Sequence, residues 1–292
     1  MGLNEGAEGR GKVIAALLCV YLFWGSTYLA IRIGLEAFPP FLMAGVRYTV
    51  AGLMIFLFLR MRGQPGPSLV EWRNGTLIGG FLLLVGNGGV VYAEQTVASG
   101  LAALMIATTP LFMVMFAGIW GRWPSRREWA GLLLGLSGVV LLSVRGTLSA
   151  DPAGACVLLL AAASWAFGSV WSGYLTMPEG LMMSAVEMIC GGGLLLITGA
   201  LAGERIPAVV SWRSVAALGW LVVFGSIVGF SAYLYLLGKV RPALASSYAY
   251  VNPVIAMLLG MLLAGEAIGG TEVLSMFVII AGVGIVISAR KA

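Results

Sequence analysis

The 292-residue chain contains no histidine, and Asp151 is its only aspartate. Histidine is the commonest general acid and base in enzymes and the commonest metal ligand. Its absence excludes histidine-dependent catalysis and most metal chemistry, and no pair of carboxylates in the sequence takes its place. We therefore expect a protein that is not an enzyme and that uses neither a cofactor nor a metal ion.

Cysteine is scarce as well. Cys19, Cys156 and Cys190 stand singly within apolar stretches. They lack the CxxC or Cys/His spacing that a zinc site requires. We interpret them as reduced residues that serve packing.

Charged residues make up only 10% of the chain, whereas hydrophobic residues make up 60%. A typical soluble domain has about 25% charged and about 45–50% apolar residues. With a mean hydropathy of +0.99, the chain has more apolar surface than one core can bury. This composition excludes a soluble globular protein and a disordered chain, and it predicts lipid as a partner.

The net charge of +5 does not indicate a nucleic-acid partner. A groove that binds single strands combines basic residues with exposed aromatic residues, and the sequence has no such pattern. Lysine and arginine instead collect in the cytoplasmic loops of membrane proteins. We therefore expect no nucleic acid among the partners.

Uncharged stretches of the length that spans a bilayer, about 20 residues, follow one another along the whole chain, and two further spans contain one charge each. The sequence thus predicts an all-α membrane protein with ten transmembrane helices. The predicted spans are 13–31, 40–60, 74–93, 95–121, 129–144, 152–178, 181–203, 214–238, 242–265 and 273–289.

The positions of the cations predict the orientation of these helices. With Arg32 and Arg47 counted as intrahelical, twelve of the 17 lysines and arginines fall on one side of the ten-helix weave and three on the other. Positive residues favour the cytoplasmic side. Both termini are therefore predicted to be cytoplasmic.

The two halves of the chain resemble each other. In register, Trp24 aligns with Trp165 and Pro110 with Pro253. Because each half has five helices, an odd number, the second half must enter the membrane from the opposite side. The sequence predicts two inverted five-helix repeats, which comprise residues 13–144 and 153–289.

Several motifs connect this pattern to a known family. The first half carries WGST at 24–27 and TTPLF at 108–112, and the second carries AGE at 264–266 before a glycine-spaced helix that ends AGVGIVIS. Over 13–288 the chain resembles EamA-type transporters of the drug/metabolite transporter superfamily. The resemblance implies a multi-pass protein of the bacterial inner membrane that exports small metabolites, with amino acids as the expected class.

The chain departs from this family in one place. Its first half has GRW at 121–123, where the family usually has a Gly-Glu pair. Any role of the glutamate that the family has at this place is therefore expected to be structural rather than catalytic.

Broken helices at corresponding places in two repeats mark the substrate sites of such transporters, near the midplane. Pro110 and Pro253 lie close to the centres of helices four and nine, where each removes a backbone N–H and frees a carbonyl. Glycine-rich stretches lie at 86–89 and 225–229, near the centres of helices three and eight. We expect alternating access to a central cavity at these breaks.

Aromatic and polar residues lie around the breaks. Tyr21, Trp24 and Tyr28 share a face of helix one, and Trp24 is far from the interface where aromatic belts normally lie. Aromatic stripes at this spacing also serve packing, and this alternative stays open. The predicted substrate-binding residues are Trp24, Tyr28, Asn87, Tyr92, Pro110, Trp165, Tyr248, Asn252 and Pro253.

Four charges within or beside the spans are candidates for gating. Arg47 and Glu187 hold equivalent positions in the two halves, but inverted repeats place Arg47 toward the outside and Glu187 toward the cytoplasm, so we expect no contact. Arg32 and Glu94 lie near outer helix ends with Glu36. They predict either an outer polar gate or a solvated structural cluster.

Other functions remain open. An exporter of cationic drugs would need a carboxylate in helix one, and that helix has none between Lys12 and Glu36. A carrier of nucleotide-linked compounds would need several cavity cations, and only Arg32 and Arg47 are intramembrane. A non-transporting sensor is disfavoured because no soluble domain is present. The sequence leaves the substrate, proton coupling, and the choice between monomer and homodimer undetermined.

Overall fold

A computed structural model describes residues 2–97, 99–143, 152–264 and 270–289. Every regular element within these ranges is a helix. Three stretches have the wide turns of a π-helix and are labelled π1 to π3. This architecture confirms the predicted all-α class.

The helices of the first half are α1 (Gly2–Cys19), π1 (Val20–Trp24), α2 (Gly25–Leu35), α3 (Pro40–Met61), α4 (Leu69–Gly79), π2 (Gly80–Asn87), α5 (Gly88–Ala93), α6 (Ser99–Ile106), α7 (Thr109–Ile119) and α8 (Arg126–Ser143). Those of the second half are α9 (Pro152–Ser172), α10 (Leu181–Leu201), α11 (Trp212–Trp220), π3 (Leu221–Phe230), α12 (Ser231–Lys239), α13 (Pro242–Ala245), α14 (Tyr248–Ala264) and α15 (Gly270–Ser288).

Within the described ranges, six helical stretches are long and apolar enough to cross a membrane, and two apolar helices are shorter. The full count of ten spans and the cytoplasmic position of both termini stay predictions. Arg145 and Arg290, which contributed to the predicted orientation, lie outside the described residues, as does Glu266 of the AGE motif. The six stretches are Gly9–Leu35, Pro40–Met61, Leu69–Ala93, Ala153–Ser172, Leu181–Leu201 and Trp212–Lys239.

Local sequence chemistry sets several helix ends. Ser68 caps α4 in a capping box, in which the Ser68 Oγ accepts from the Glu71 backbone N–H at 3.3 Å and Glu71 Oε2 accepts from the Ser68 backbone N–H at 2.6 Å. Pro40 occupies the first position of α3, where its missing N–H costs nothing. Gly63 follows the end of α3 with φ of 79°, a conformation that favours glycine at a helix C-terminus.

Small residues let two helix pairs approach closely. In the α3–α10 pair, a Cβ added at Gly52 would lie 2.8 Å from the backbone nitrogen of Ile189. In the α8–α15 pair, a Cβ at Gly282 would lie 2.5 Å from the backbone nitrogen of Gly135. Membrane helices associate through such backbone contact. In the predicted repeats these pairs join the two second helices and the two fifth helices.

The outer faces of the helices are apolar. Leu57, Phe58, Leu160 and Phe277 are each more than half exposed. Exposed apolar surface of this extent is rare on soluble proteins and marks a surface that contacts another apolar phase. These faces are consistent with contact to lipid.

The predicted breaks appear as π-helical turns and one interruption. The glycine stretches at 86–89 and 225–229 overlap π2 and π3, and α6 ends at Ile106, just before α7 and Pro110. The break predicted at Pro253 is wrong, because Pro253 lies inside α14. The interruption lies instead between α13 and α14, where the Ser246 and Ser247 hydroxyls each donate at 2.8 Å to backbone carbonyls of the preceding turn, which also accept backbone N–H groups.

Candidate functional site

The described helices surround a cavity with a volume of about 70 Å³, counted as the space open to the centres of water molecules. Both halves of the chain contribute to its walls. The lining residues are Trp24, Thr27, Tyr28, Ile31, Arg47, Tyr48, Gly86, Asn87, Val90, Ile106, Thr109, Ala161, Ala162, Trp165, Tyr248 and Asn252.

The wide turns place residues at this cavity. Trp24 is the last residue of π1 and Asn87 the last residue of π2, and both line it. The third π-helical stretch carries Gly225 and Ser226, which contact the cavity residues Trp24 and Arg47. π-helical turns are rare and occur often at functional sites. All three of them lie beside one cavity here.

Seven residues predicted from the sequence line the cavity. Six belong to the predicted substrate-binding set, and the seventh, Arg47, was expected nearer the outer surface. The cavity thus combines most of the predicted polar and aromatic residues from both repeats. The seven are Trp24, Tyr28, Arg47, Asn87, Trp165, Tyr248 and Asn252.

Three predicted binding residues do not line the cavity. Tyr92 is 49% exposed and stacks on Phe41, with ring centroids 5.8 Å apart, beside a separate outer groove. Pro110 is buried in the first turn of α7, and Pro253 is buried within α14. Both proline side chains are therefore buried in the protein away from the cavity. The distance of a residue from a helix break gives its position along the helix but not the direction in which its side chain points.

Four rings form an aromatic cluster, defined as Trp24, Trp165, Tyr233 and Tyr248, and all of them except Tyr233 line the cavity. The Trp24 centroid lies 5.5 Å from that of Trp165, 5.2 Å from that of Tyr233 and 4.7 Å from that of Tyr248. Edge and tilted contacts at this range are favourable for aromatic pairs. The cluster joins helices from both halves.

Hydrogen bonds fix the orientation of the cluster. Trp24 Nε1 donates to the Gly225 carbonyl at 2.9 Å. Trp165 Nε1 donates to Tyr233 Oη at 3.0 Å, and Tyr233 Oη donates to Ser169 Oγ at 2.7 Å. Buried tryptophan and tyrosine need such partners for their polar atoms. Hydrogen bonds thus hold three of the four rings in place.

Two glycines of π3 make room for this arrangement. A Cβ at Gly229 would lie 2.5 Å from Trp24 Nε1, and a Cβ at Gly225 would lie 2.7 Å from Arg47 Nη2. Both contacts are too close for a side chain, because Trp24 Nε1 is itself hydrogen-bonded and the Arg47 guanidinium is held through Nε by Ser226. The glycines predicted to break helix eight thus admit a tryptophan and an arginine.

Arg47 is the only charged residue among the described residues that line the cavity. Its side chain is 2% exposed. Nε donates to Ser226 Oγ at 2.8 Å, and the guanidinium carbon lies 4.6 Å from the centroid of the Tyr48 ring. Nη1 is buried and has no hydrogen-bond partner in the described part of the chain.

Two amide oxygens share this property. Asn87 Oδ1 and Asn252 Oδ1 are both buried without a hydrogen-bond partner among the described residues. Buried polar atoms are normally satisfied by protein, water or ligand. The cavity therefore offers one cationic donor and two neutral acceptors to a bound molecule.

Sequence reasoning missed some lining residues. Thr27, Tyr48 and Thr109 line the cavity but were not predicted. Thr27 lies three residues after Trp24, on the same helical face, and Tyr48 follows Arg47 directly. Both signals were present in the sequence.

The other predicted charges lie elsewhere. Glu187 is fully buried on α10, and its carboxyl oxygens, like those of Glu94, have no hydrogen-bond partner within the described ranges. Arg32 is exposed. None of the three lines the cavity. An outer gate formed by Arg32 and Glu94 stays a prediction.

A partly buried ion pair lies away from the cavity. Arg241 Nη1 is 2.8 Å from Glu128 Oε1, and Glu128 Oε2 also accepts from the Ser125 backbone N–H at 2.9 Å. Arg241 donates to the Ala289 carbonyl as well. These contacts connect the start of α8 to α13 and the end of α15. Their role is structural.

No group of three or more potential metal ligands occurs in the described residues, and Cys19, Cys156 and Cys190 are free thiols. The site thus consists of aromatic rings, amides, hydroxyls and one guanidinium. Such groups can hold an amphipathic solute.

Known proteins share this architecture. The EamA-like transporter family matches the chain over residues 11–144 and again over 152–288. The inner membrane transporter YedA of Escherichia coli K12 is 46% identical over 269 residues, which cover 92% of this chain and 88% of YedA. The transporter YoaV of Bacillus subtilis 168 is 25% identical over 282 residues, with 93% and 95% covered.

A crystal structure of a protein with 21% sequence identity shares the fold, with a TM-score of 0.76 over 94% of this chain and 96% of the other. The sequence pattern had also suggested a likeness to the bacterial amino-acid exporter YddG. The comparisons do not confirm that likeness, and they do not show a substrate class.

Proposed function

Since the chain belongs to the EamA-like transporter family and is a multi-pass inner-membrane protein, we propose that it exports small metabolites by alternating access. The central cavity is the binding site for one solute at a time. Amino acids with aromatic or other apolar side chains are the proposed cargo.

One observation carries this proposal: the lining of the cavity combines aromatic rings with unpartnered polar atoms. The rings of Trp24, Trp165 and Tyr248 offer apolar faces. Asn87 and Asn252 offer acceptor oxygens that the described residues leave unused. An amino acid with an apolar side chain presents groups that complement both.

The two halves supply the elements that alternating access needs. The family matches fall on the two predicted repeats, and the close α3–α10 and α8–α15 pairs join equivalent helices. In transporters built from inverted repeats, one bundle rocks against the other around a fixed site. We include the inverted orientation and the ten-helix count in the proposal.

We include an outward-facing state in the proposal. From Trp24 the lining continues through Tyr28 to Ile31, toward the end of α2 that the predicted orientation places outside. On the other side of Trp24, Tyr21 Oη and Ser247 Oγ are 2.6 Å apart. The aromatic cluster and this hydrogen bond would form the cytoplasmic gate.

The alternatives have less support. Arg47, the only charge among the described lining residues, would repel a cationic drug. A nucleotide-linked compound carries several negative charges, and Arg32 is exposed rather than in the cavity. A sensor that transports nothing would still need a ligand of the same chemistry.

Reconstitution in proteoliposomes tests the proposal. Efflux and uptake would be measured with labelled amino acids, nucleosides and cationic dyes, with empty liposomes as the background. We expect transport of apolar amino acids above this background. A lipid-facing control variant, Leu160→Ala, should transport like the unmodified protein, because Leu160 is 62% exposed. Transport of dyes or nucleosides alone would contradict the amino-acid assignment, and no transport of any solute would favour a sensor.

A further inference from the structure

We propose that Arg47 forms an anion subsite in the central cavity and that the cargo carries a single carboxylate, which pairs with the guanidinium. This inference rests on the proposed function, because it names the chemical group by which the transporter recognises its solute. It also changes the role of Arg47 from an outer charge to a binding residue.

The positive charge of Arg47 costs free energy at a buried position. An arginine within a membrane span is expensive unless it faces protein partners or a water-filled cavity. The described partners of Arg47 are Ser226 Oγ at 2.8 Å and the Tyr48 ring, whose centroid lies 4.6 Å from the guanidinium carbon. Both partners are neutral. They orient the guanidinium but leave its charge uncompensated.

The acidic residues on neighbouring elements do not compensate it. Glu187 on α10 and Glu94 after α5 do not line the cavity, and their carboxyl oxygens have no partner within the described ranges. Glu204 accepts from the backbone N–H groups of Phe41 and Leu42, at 3.1 and 2.8 Å. The counter-charge for Arg47 must therefore come from the content of the cavity.

The backbone is also shaped around the guanidinium. Gly225 lies so close that a Cβ there would be 2.7 Å from Arg47 Nη2, and the next residue, Ser226, holds Nε. The hydrogen bond from Nε to Ser226 fixes the orientation of the guanidinium. Nη1, on the guanidinium, is left buried without a partner in the described chain. A fixed planar donor of this kind matches a carboxylate better than a flexible lysine would.

The rest of the cavity offers acceptor oxygens and aromatic rings. Asn87 Oδ1 and Asn252 Oδ1 can accept from an ammonium or hydroxyl group, and the aromatic cluster can hold an apolar side chain. One guanidinium neutralises one carboxylate, whereas a phosphate monoester carries about two negative charges near neutral pH. The cavity therefore suits a monocarboxylate with a donor group and an apolar side chain.

Competition in proteoliposomes tests the subsite. Uptake of labelled L-phenylalanine would be competed with unlabelled L-phenylalanine, with its amide, which lacks the carboxylate, and with phenylethylamine. We expect the amide and the amine to compete at least about tenfold more weakly than the acid. Arg47→Gln should abolish this difference, and Arg47→Lys should retain part of it, because lysine keeps the charge but not the planar donor pair.

The matched control is Arg60→Gln. Arg60 lies on the same helix, is exposed, and donates to the Gln64 carbonyl at the helix end. This variant should keep the preference for the acid. Equal competition by acid and amide in the unmodified protein would overturn the subsite while leaving export intact, and so would a preference for the acid that survives Arg47→Gln.

A binding measurement separates failure of the subsite from failure of the amino-acid assignment. Thermal stabilisation of the purified protein would be measured with phenylacetate, phenylacetamide and phenyl phosphate. Stabilisation by phenylacetate alone, lost in Arg47→Gln and kept in Arg60→Gln, would support the subsite even if phenylalanine is not transported. Equal stabilisation by the amide, or stronger stabilisation by the phosphate, would overturn the carboxylate assignment.

Discussion

Trp24 offers the sharpest test of the cavity, because it links the aromatic cluster to the wide turn of π3. Its ring contacts three other rings, and its Nε1 donates to the Gly225 carbonyl. Trp24→Ala removes the ring and the donor together. Trp24→Phe keeps an aromatic face and removes only the donor.

The structure allows the two effects to be estimated. An aromatic face is worth about 0.5–1.5 kcal/mol beyond its buried area, which corresponds to about a 2- to 10-fold loss in affinity for a solute that stacks on it. Removal of the donor deletes the hydrogen bond to the Gly225 carbonyl, which contributes about 0.5–1.5 kcal/mol to protein stability. The first loss depends on the solute, and the second does not.

The assay is competition of a labelled amino acid by a size series from alanine to tryptophan, at matched amounts of folded protein. In Trp24→Ala and Trp165→Ala, competition by bulky amino acids should weaken more than competition by alanine. Trp24→Phe should lose stability with little change in size selectivity. Trp212→Ala is the control, because Trp212 is 78% exposed. If all competitors change equally, or only the amount of folded protein changes, the rings serve packing and the binding site lies elsewhere.

Further predictions concern polar recognition, stability, coupling and topology. Asn252→Leu should weaken the binding of all competitors with the same polar ends by a similar factor, because an unpaired polar group costs about 1–3 kcal/mol whatever side chain accompanies it. A size-dependent effect in the same competition assay would contradict this. Arg241→Gln should lower the thermal stability without changing selectivity. The expected loss lies between about 1 kcal/mol for surface pairs and about 3–5 kcal/mol for buried pairs, because Glu128 would lose its partner; altered selectivity would place the pair in the transport pathway. Transport should depend weakly on a pH gradient, because no carboxylate lines the cavity among its described residues; accumulation driven by a pH gradient alone would refute this. In a cysteine-free background, a cysteine introduced at position 150, which lies outside the described residues, should react with an impermeant thiol reagent added from outside. Labelling only in inside-out vesicles would contradict the predicted orientation and the inverted repeat.

The sequence by itself determined the class of protein and some of the places where helices deviate. Bilayer thickness requires long uncharged stretches, and such stretches are visible in composition alone. The glycines at 86–89 and 225–229 predicted two of the deviations, since glycine weakens regular helix. Tertiary contact produced the third: π1 has no glycine of its own, and it packs against π3 with the Trp24 indole on the Gly225 carbonyl.

Only the tertiary structure decided which side chains meet in the cavity. Depth along a helix can be counted from its ends, but rotation about the helix axis is set by neighbours that are distant in sequence. Arg47 reaches Ser226, 179 residues away, and so belongs to the cavity rather than to the outer surface. Tyr92 and Pro253 face surroundings other than the cavity, because the packing of their helices turns them away.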